Sequence, residues 1–307
     1  MSRIDEALRL SEEGHGIEAA EVAAVQRGNA SALSQYAHEE SERHPRHEVP
    51  ALRAAEPSET FRPALAARLH RTRGFRLPDD PRLHARLVAG TASTVSLEQY
   101  RKLGSALHEA QAQNQTKTVM ITSALPNEGK TLTVVNLALT LSESYARRVL
   151  IIDADLRCPS VHTILDLPND RGLSEVLHDG QPGLPINEVS SRLSVMTGGK
   201  PGDTPLAGLS SKRMAAVLEE CAERFDWVLI DTPPIGVLTD AQVLARLVGE
   251  VILVIRAGST PIAAIERAVA ELGGADAISG IVLNHVDQRR IPDADYYSQY
   301  GMSRTRV

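Results

Sequence analysis

The chain has 307 residues, which is enough for one large α/β domain and an additional segment. Its formal net charge of −6 gives no reason to expect a nucleic-acid surface. The two cysteines, Cys158 and Cys221, are too few for a disulfide framework, so we expect a reducing, cytoplasmic location. No apolar run approaches the about 20 residues that span a bilayer, and the first residues do not form a secretion signal. Any membrane role is therefore expected to work through a partner.

Residues 1–90 differ in composition from the rest of the chain. They are rich in Arg, Glu, His and Ala, and they contain no lysine. We expect this segment to be largely irregular, with short helices at residues 4–10 and 64–70 and a proline-punctuated linker at residues 39–63. An ordered domain is expected over residues 91–287. A flexible, tyrosine-containing tail is expected over residues 288–307.

The ordered domain should begin with a helix near Ser96, because Ser96 and Gln99 form a capping-box pattern. After this helix, short apolar runs alternate with stretches of helical periodicity. Strands are predicted at residues 118–122, 149–152, 193–196, 227–230, 251–255 and 280–283, and helices at residues 131–141, 211–223, 241–247 and 262–272. This alternation predicts an α/β fold with a mostly parallel sheet covered by helices on both faces. Ligands of such sheets bind at the carboxyl ends of the strands.

A phosphate-binding loop is predicted between the first of these strands and the helix that follows it. Ala124, Gly129, Lys130 and Thr131 fit the pattern A/G-x4-G-K-S/T, and a structural Gly-Lys turn is the weaker alternative. Backbone N–H groups of the loop and the helix N-terminus would surround a polyphosphate. Lys130 would reach the β and γ oxygens, and the Thr131 hydroxyl would bind Mg²⁺. The predicted nucleotide contacts in this loop are Pro126, Asn127, Glu128, Gly129, Lys130, Thr131 and Leu132.

Three aspartates follow predicted strands and complete the site. Asp153 and Asp155 alternate along an extended segment, so both can face one site, and Mg²⁺ would offset their repulsion. Asp231 ends another apolar strand and fits a Walker B carboxylate. Helix capping or turn formation is the alternative for all three. The predicted Mg²⁺ ligands are Thr131, Asp155 and Asp231.

Two further polar residues have open roles. Arg157 can neutralise charge on a transferring phosphoryl group, or it can pair with Asp153 or Asp155. Asn284, after the last predicted strand, can read the edge of a nucleotide base, or it can be a turn residue.

Together these motifs resemble the bacterial tyrosine kinases of exopolysaccharide and capsule biosynthesis, over about residues 98–287. The resemblance implies a P-loop NTPase fold of the MinD/ParA type that uses ATP and Mg²⁺. It implies autophosphorylation of a C-terminal tyrosine cluster, here Tyr296, Tyr297 and Tyr300. The implied catalytic residues are Lys130, Asp153, Asp155 and Arg157. Asp153 would accept the tyrosine proton or position the tyrosine oxygen.

The resemblance also implies partners. These are an activating membrane-embedded polysaccharide co-polymerase or chain-length regulator, a protein-tyrosine phosphatase and further copies of the chain. The protein would then lie peripherally at the inner face of the cytoplasmic membrane. Family members often carry E-x-x-R-x-x-R on the first helix for assembly; Glu98 and Arg101 match, but Gly104 replaces the second arginine.

Two other functions fit parts of the sequence. A positioning ATPase of the MinD/ParA type shares the expected fold, but it carries an extra lysine near the start of the loop, where this chain has Leu125. A non-catalytic, nucleotide-binding regulator of a polysaccharide export machine fits the sparse tyrosine cluster and Gly104. The complete set of catalytic residues favours the kinase.

Overall fold

The computed structural model describes residues 86–88, 94–178, 183–201 and 205–287, together with the backbone of Ala24–Gln26. The strands are β1 Ala24–Gln26, β2 Thr118–Ser123, β3 Val149–Asp153, β4 Asn187–Glu188, β5 Leu193–Met196, β6 Trp227–Asp231, β7 Glu250–Arg256 and β8 Gly280–Asn284. The helices are α1 Thr94–Asn114, α2 Lys130–Glu143, α3 Val161–Leu165, α4 Leu173–His178, α5 Pro205–Leu209, α6 Lys212–Arg224, α7 Asp240–Ala245 and α8 Ile262–Glu271, with a 3₁₀ turn at Ala275–Ala277.

The described strands form one sheet in the order β1-β8-β7-β2-β6-β3-β5-β4. The six strands from β8 to β5 run parallel, and the short strands β1 and β4 pair antiparallel at the two edges. The expected mostly parallel sheet is therefore confirmed. Because β2, β6 and β3 are neighbours, the three predicted site motifs lie side by side at the carboxyl edge.

Each face of the sheet is covered by its own group of helices. Val119 and Ile121 of β2 point into a cluster with α1 and α2, whereas Met120 points into a second cluster with α6, α7 and α8. The buried, continuously apolar strands explain this arrangement, because alternate side chains serve opposite faces. Burial of one large aliphatic side chain contributes about 1.5–3 kcal/mol. The expected helices on both faces are confirmed.

Several strands extend one residue beyond their predicted ends. β3, β6 and β8 include Asp153, Asp231 and Asn284, because strand pairing continues through these residues; Asp153 and Asp231 are register partners. The predicted strands ended at their last apolar residue, but backbone pairing does not depend on the side chain and continues through the polar residue that follows. β5 has its predicted bounds.

Most helix ends differ from the predicted ones by one or two residues. Helix α1 begins at Thr94, so Ser96 lies inside the first turn and does not cap the helix as the capping-box pattern predicted. Helix α7 ends at Ala245, two residues before its predicted end. Helix α6 does have a cap at its expected start, where the Ser211 side chain accepts a hydrogen bond from Met214 N.

Part of the N-terminal segment belongs to the folded body. Leu87 and Val88 are buried, and the buried Asn136 side chain of α2 binds this stretch twice. Val88 N donates to Asn136 Oδ1 at 2.9 Å, and Asn136 Nδ2 donates to the Arg86 carbonyl at 2.9 Å. We call residues 86–88 the strap. The helices predicted at residues 4–10 and 64–70, and the tail at residues 288–307, lie outside the described residues.

Among the described helices, none combines the length and the apolar character needed to cross a bilayer.

The strap contact generates a stability prediction. Asn136→Ala removes both hydrogen bonds and leaves a buried N–H and a carbonyl without partners, so we expect a loss of about 1–3 kcal/mol in the free energy of unfolding. Urea unfolding measures the change. Asn114→Ala is the matched control, because Asn114 is exposed and its side chain donates to Glu250 at 3.1 Å, away from the strap. Equal losses in the two variants would contradict the anchoring role of Asn136.

Candidate active site

The loop between β2 and α2 has the backbone shape of an anion site. Gly129, the N-cap of α2, has φ of 89°, and Asn127 has φ of 64°. A Cβ at Gly129 would collide with the amide nitrogen of Asn284, so glycine is required for space as well as for conformation. Helix α2 begins at Lys130, and its first N–H groups have no partner within the helix. These groups are available to a phosphate.

The side chain of Glu128 holds this loop in place. It is buried; its Oε2 accepts a hydrogen bond from Leu125 N at 2.8 Å, and its Oε1 accepts one from the Thr260 hydroxyl. Burial raises the pKa of Glu128, and the Thr260 bond opposes that rise. The Glu128 carboxylate is therefore directed into the protein. The predicted contact of Glu128 with the nucleotide can therefore be made only by its backbone N–H group. Pro126 was also predicted to contact the nucleotide, but proline has no backbone N–H group to donate to a phosphate.

Asn284 ends strand β8, so it is not the turn residue that one of the two alternatives predicted. It is buried, and its Nδ2 donates to the Glu128 carbonyl at 2.8 Å while its Oδ1 accepts from His285 N at 2.9 Å. Both ends of the amide are therefore used to brace the loop. The contact of Asn284 with a nucleotide base stays a prediction, because these two bonds use one of its two N–H groups and one lone pair of its oxygen.

Lys130 faces the turn that follows β3. Its Nζ lies 3.4 Å from Asp155 Oδ2, and the two side chains are only 15% and 7% exposed. The Thr131 hydroxyl lies 3.3 Å from the Ser160 hydroxyl on the same turn. The ammonium group and the threonine hydroxyl of the loop therefore both contact the segment that follows β3, through Asp155 and Ser160 respectively.

Asp153 lies behind these contacts and holds the turn. It is completely buried; its Oδ2 accepts from Ser160 N at 2.9 Å and from Val161 N at 3.0 Å, and its Oδ1 accepts from Asp155 N at 3.3 Å. Burial, and secondarily the charge of Asp231, raises the pKa of Asp153 to about 8. The structure therefore places Asp153 among backbone amides and away from the open side of the site.

Asp231 is a buried carboxylate, and among the described residues no donor reaches full hydrogen-bonding geometry at either of its oxygens, although the Thr131 hydroxyl and the Thr232 N–H lie near enough to lower its pKa. Burial raises its pKa to about 6, and Lys130 opposes the rise. Such a group is costly unless a cation approaches it. Thr131, Asp155 and Asp231 supply oxygen ligands only, which is the chemistry of Mg²⁺. The chemistry of the donor set therefore fits Mg²⁺.

The predicted Mg²⁺ ligands include two carboxylates, those of Asp155 and Asp231, and they stay a prediction. Within the described residues, no three His, Cys, Asp or Glu side chains converge as a metal-binding group. Asp153 is engaged by backbone amides, and Asp155 is drawn towards Lys130. A Mg²⁺ site does not need three carboxylates, because the ion usually takes one or two and completes its shell with water and phosphate.

One alternative from the sequence paired Arg157 with Asp153 or Asp155, but in the structure Arg157 pairs with Asp240. Its Nε donates to Asp240 Oδ2 at 2.7 Å, and its Nη2 donates to Asp240 Oδ1 at 3.3 Å. Asp153 is turned inward and Asp155 faces Lys130, so neither carboxylate is available to the guanidinium. Sequence reasoning missed the partner residues Asp240 and Thr260. An aspartate at a helix start looks like a cap, and Thr260 had no distinguishing signal.

The predicted assembly residues are paired within the chain. Arg101 binds Glu98 three residues earlier on α1. A Cβ at Gly104 would lie 2.9 Å from Tyr145 Cε2, and the Tyr145 hydroxyl donates to the Arg101 carbonyl at 2.8 Å. The Tyr145 ring therefore covers the position where a second arginine would stand. The predicted acceptors Tyr296, Tyr297 and Tyr300 lie outside the described residues.

Comparisons with known proteins agree with this geometry. Residues 119–296 match the family model described as the CobQ/CobB/MinD/ParA nucleotide binding domain. Tyrosine-protein kinase YwqD of Bacillus subtilis is 38% identical over 182 residues, which cover 58% of this chain and 76% of that protein. The chain belongs to the bacterial tyrosine-kinase family.

Two further relatives support the membership. Tyrosine-protein kinase wzc of Salmonella typhimurium is 30% identical over 70% of this chain, but the match spans only 30% of that longer protein. The solved kinase domain of Escherichia coli tyrosine kinase ETK superposes with a TM-score of 0.59 at 33% identity, covering 64% of this chain and 78% of that domain. The kinase domain is thus the part that the longer relatives share with this chain.

The buried carboxylates generate a pH-dependent prediction. The pKa values of Asp153 and Asp231 are raised in the folded protein, so the protonated forms favour folding and ionisation costs stability. This cost is absent below pH about 4 and is incurred as the pH rises through about 6 to 8. Asp231→Asn removes one of the two charges. We therefore expect it to stabilise the nucleotide-free protein by about 1–3 kcal/mol at pH 8 and to have little effect at pH 4.

Urea unfolding at the two pH values measures this difference, with the exposed Asp170→Asn as the matched control. A stability change of the same size at both pH values would show that the charge of Asp231 does not destabilise the nucleotide-free protein.

Proposed function

We propose that this chain is an ATP-dependent protein-tyrosine autokinase that regulates exopolysaccharide or capsule synthesis and export. It transfers the γ-phosphoryl group of Mg²⁺-ATP to tyrosines of its own C-terminal tail. The observation that carries the proposal is the convergence of Lys130 and Asp155 at the mouth of the phosphate loop, with the buried Asp231 carboxylate behind it. The relatives' names, which include tyrosine-protein kinases YwqD and wzc, support the reaction.

The residues of the loop divide the work of nucleotide binding. The amides of residues 129–132 and the Lys130 ammonium bind the phosphates, and Lys130 exchanges Asp155 for phosphate oxygens. Thr131, Asp155 and Asp231 would hold Mg²⁺, directly or through water. When bound, the ion neutralises the charge that develops on the phosphate oxygens. Glu128 and Asn284 keep the loop rigid, so that these donors stay aimed at the phosphates.

The two aspartates after β3 have different proposed roles. Asp155 is the nearer carboxylate for an incoming tyrosine, because it lies at the mouth beside Lys130. Asp153 is buried and binds the amides of the same turn, so we propose that it positions this turn and does not itself take the proton. A phenol with a pKa of about 10 needs little activation in a loose transition state, so positioning suffices.

The tail is long enough to bring its tyrosines to a phosphate loop. Eight residues lie between Asp287, the end of the described domain, and Tyr296, which makes nine residue-to-residue steps. Extended, they span about 30 Å. Strand β8 is two strands away from β2, which is about 10 Å across the sheet. The same reach serves the site of this chain or that of a neighbouring copy. Phosphorylation adds about −1.5 to −2 charges per tyrosine beside Asp293 and Asp295, and this repulsion would release the tail.

The proposed partners follow from the family. A membrane-embedded polysaccharide co-polymerase would activate the kinase, a protein-tyrosine phosphatase would reverse the reaction, and copies of the chain would phosphorylate one another. The protein would then act at the inner face of the cytoplasmic membrane. Glu98 and Arg101 are proposed to contribute to assembly in this chain without the second arginine.

The test combines the purified full chain, Mg²⁺-ATP and the cytoplasmic segment of the co-polymerase, followed by mapping of phosphate by mass spectrometry. We expect phosphate on Tyr296, Tyr297 or Tyr300 in the wild type and at least a hundredfold less in Lys130→Met, because the charge on the phosphates loses its partner. Lys212→Met, an exposed lysine at the start of α6, is the matched control and should behave as the wild type.

Two outcomes would contradict the kinase. ATP hydrolysis without phosphotyrosine would indicate a positioning ATPase of the MinD/ParA type. Nucleotide binding with neither hydrolysis nor phosphotyrosine would indicate a non-catalytic regulator.

A further inference from the structure

Arg157 and Asp240 form a two-pronged ion pair beside the site, and the phosphate chemistry described above does not use it. Asp240 is almost completely buried at the first residue of α7. Arg157 approaches it with Nε at 2.7 Å and Nη2 at 3.3 Å, one to each carboxylate oxygen. Planar, paired contacts of this kind fix orientation as well as charge. The pairing also raises the pKa of Arg157, and Asp240 is the largest cause.

The pair joins two loops that flank the site on neighbouring strands. Arg157 lies in the turn after β3, and this turn is closed by hydrogen bonds from Cys158 N to the Asp155 carbonyl at 3.1 Å and to Asp155 Oδ1 at 3.2 Å. Asp155, which faces Lys130, therefore belongs to the same short turn as Arg157. A movement of the Arg157 backbone would displace Asp155 as well.

The other loop, residues 232–239, leads from Asp231 to Asp240 and is attached to β2 at its near end. Thr122 Oγ1 donates to the Pro233 carbonyl at 2.9 Å, and Ile235 N donates to the Ser123 carbonyl at 2.9 Å. Gly236 lies so close to the Ala124 carbonyl that an added Cβ would stand 2.7 Å from it. Beyond Gly236 the loop leaves the body, and Val237 is 57% exposed. At its far end the Arg157–Asp240 pair ties it to the turn after β3.

The loop that follows Asp231 is thus held from both sides, by the phosphate-loop strand β2 and by the turn that carries Asp155. Breaking the ion pair would release the far side only. The attachment of the phosphate loop itself, through Glu128 and Asn284, does not involve either residue. This separation makes the role of the pair distinguishable from that of the loop.

We propose that Arg157 is a positioning residue, which acts through Asp240 to hold Asp155 where magnesium-bound nucleotide needs it, and that it does not contact the transferring phosphoryl group. The inference rests on the proposed function in that both use one nucleotide site. The Arg157 guanidinium is engaged by Asp240. Without Arg157, the buried Asp240 carboxylate would carry an uncompensated charge. Metal-independent binding of phosphate to the loop amides and Lys130 needs neither partner.

The test is the affinity of the full chain for ADP, measured by calorimetry with Mg²⁺ and again with EDTA. We expect Arg157→Gln and Asp240→Asn each to lower the Mg²⁺-dependent gain in affinity about tenfold or more. The affinity in EDTA should stay within about twofold of the wild type, because the phosphate loop keeps its own braces. The double variant should be no worse than either single variant, since both remove one interaction. Arg157→Lys, which keeps the charge, should recover part of the gain.

Arg148→Gln is the matched control, because Arg148 forms a more exposed pair with Asp226 at 3.5 Å, away from the site. Hydrogen exchange of the nucleotide-free protein gives a second readout that needs no bound ligand. Amides of residues 155–161 should exchange faster in Arg157→Gln and Asp240→Asn, but not in the control. If Arg157→Gln fails to fold by circular dichroism, Asp240→Asn and the double variant, which leave no buried charge unpaired, decide the question.

Three results would overturn the inference. A loss of ADP affinity in EDTA for Arg157→Gln would mean that the guanidinium contacts phosphate directly. Normal Mg²⁺-ADP binding by Asp240→Asn would mean that Arg157 does not act through Asp240, and unchanged exchange at residues 155–161 would remove the proposed mechanism. None of these readouts depends on phosphotyrosine. A chain that gives the expected binding pattern but phosphorylates no tyrosine would refute the kinase and leave the positioning role standing.

Discussion

Two aspartates side by side at the ends of neighbouring strands are the constraint on which the site depends. Asp153 and Asp231 are register partners, both are buried, and each raises the cost of ionising the other. Strand pairing forces this proximity, so the side chains cannot separate without disrupting the sheet. The protein stabilises Asp153 with three backbone amides, whereas among the described residues no donor reaches full hydrogen-bonding geometry at Asp231. Stability is thus given up where a cation is to bind, a common feature of functional sites.

The rest of the site is built so that this strain does not deform the phosphate loop. Glu128 and Asn284 attach the loop to the ends of β7 and β8, on the side away from the paired aspartates. Thr260 lies just after β7 and Asn284 ends β8, so three parallel strands support one short loop. Because these contacts are buried, their geometry is well defined, and the amides at the start of α2 are fixed before any ligand arrives.

Local patterns predicted the fold and the main site residues, because each signal was contained in one short stretch. The apolar strands, the helical periodicity around them and the glycine-lysine-threonine turn are of this kind. The partners of Glu128, Arg157 and Asn284 could not be predicted in the same way. Thr260 lies 132 residues after Glu128, and Asp240 lies 83 residues after Arg157, so only the folded topology brings them together. The roles left open for Arg157 and Asn284 were those that depended on such contacts.

Helix α2 connects the strap to the candidate active site. Asn136, which binds the strap, lies six residues after Lys130 on the same helix, a distance of about 9 Å along the axis. The strap covers the outer side of α2, and the phosphate loop fixes its first turn. Helix α2 is buried along most of its length, so it behaves as a rigid rod between the two contacts. A displacement of the strap would therefore be transmitted to the first turn of α2 through the Asn136 hydrogen bonds and the rigid helix.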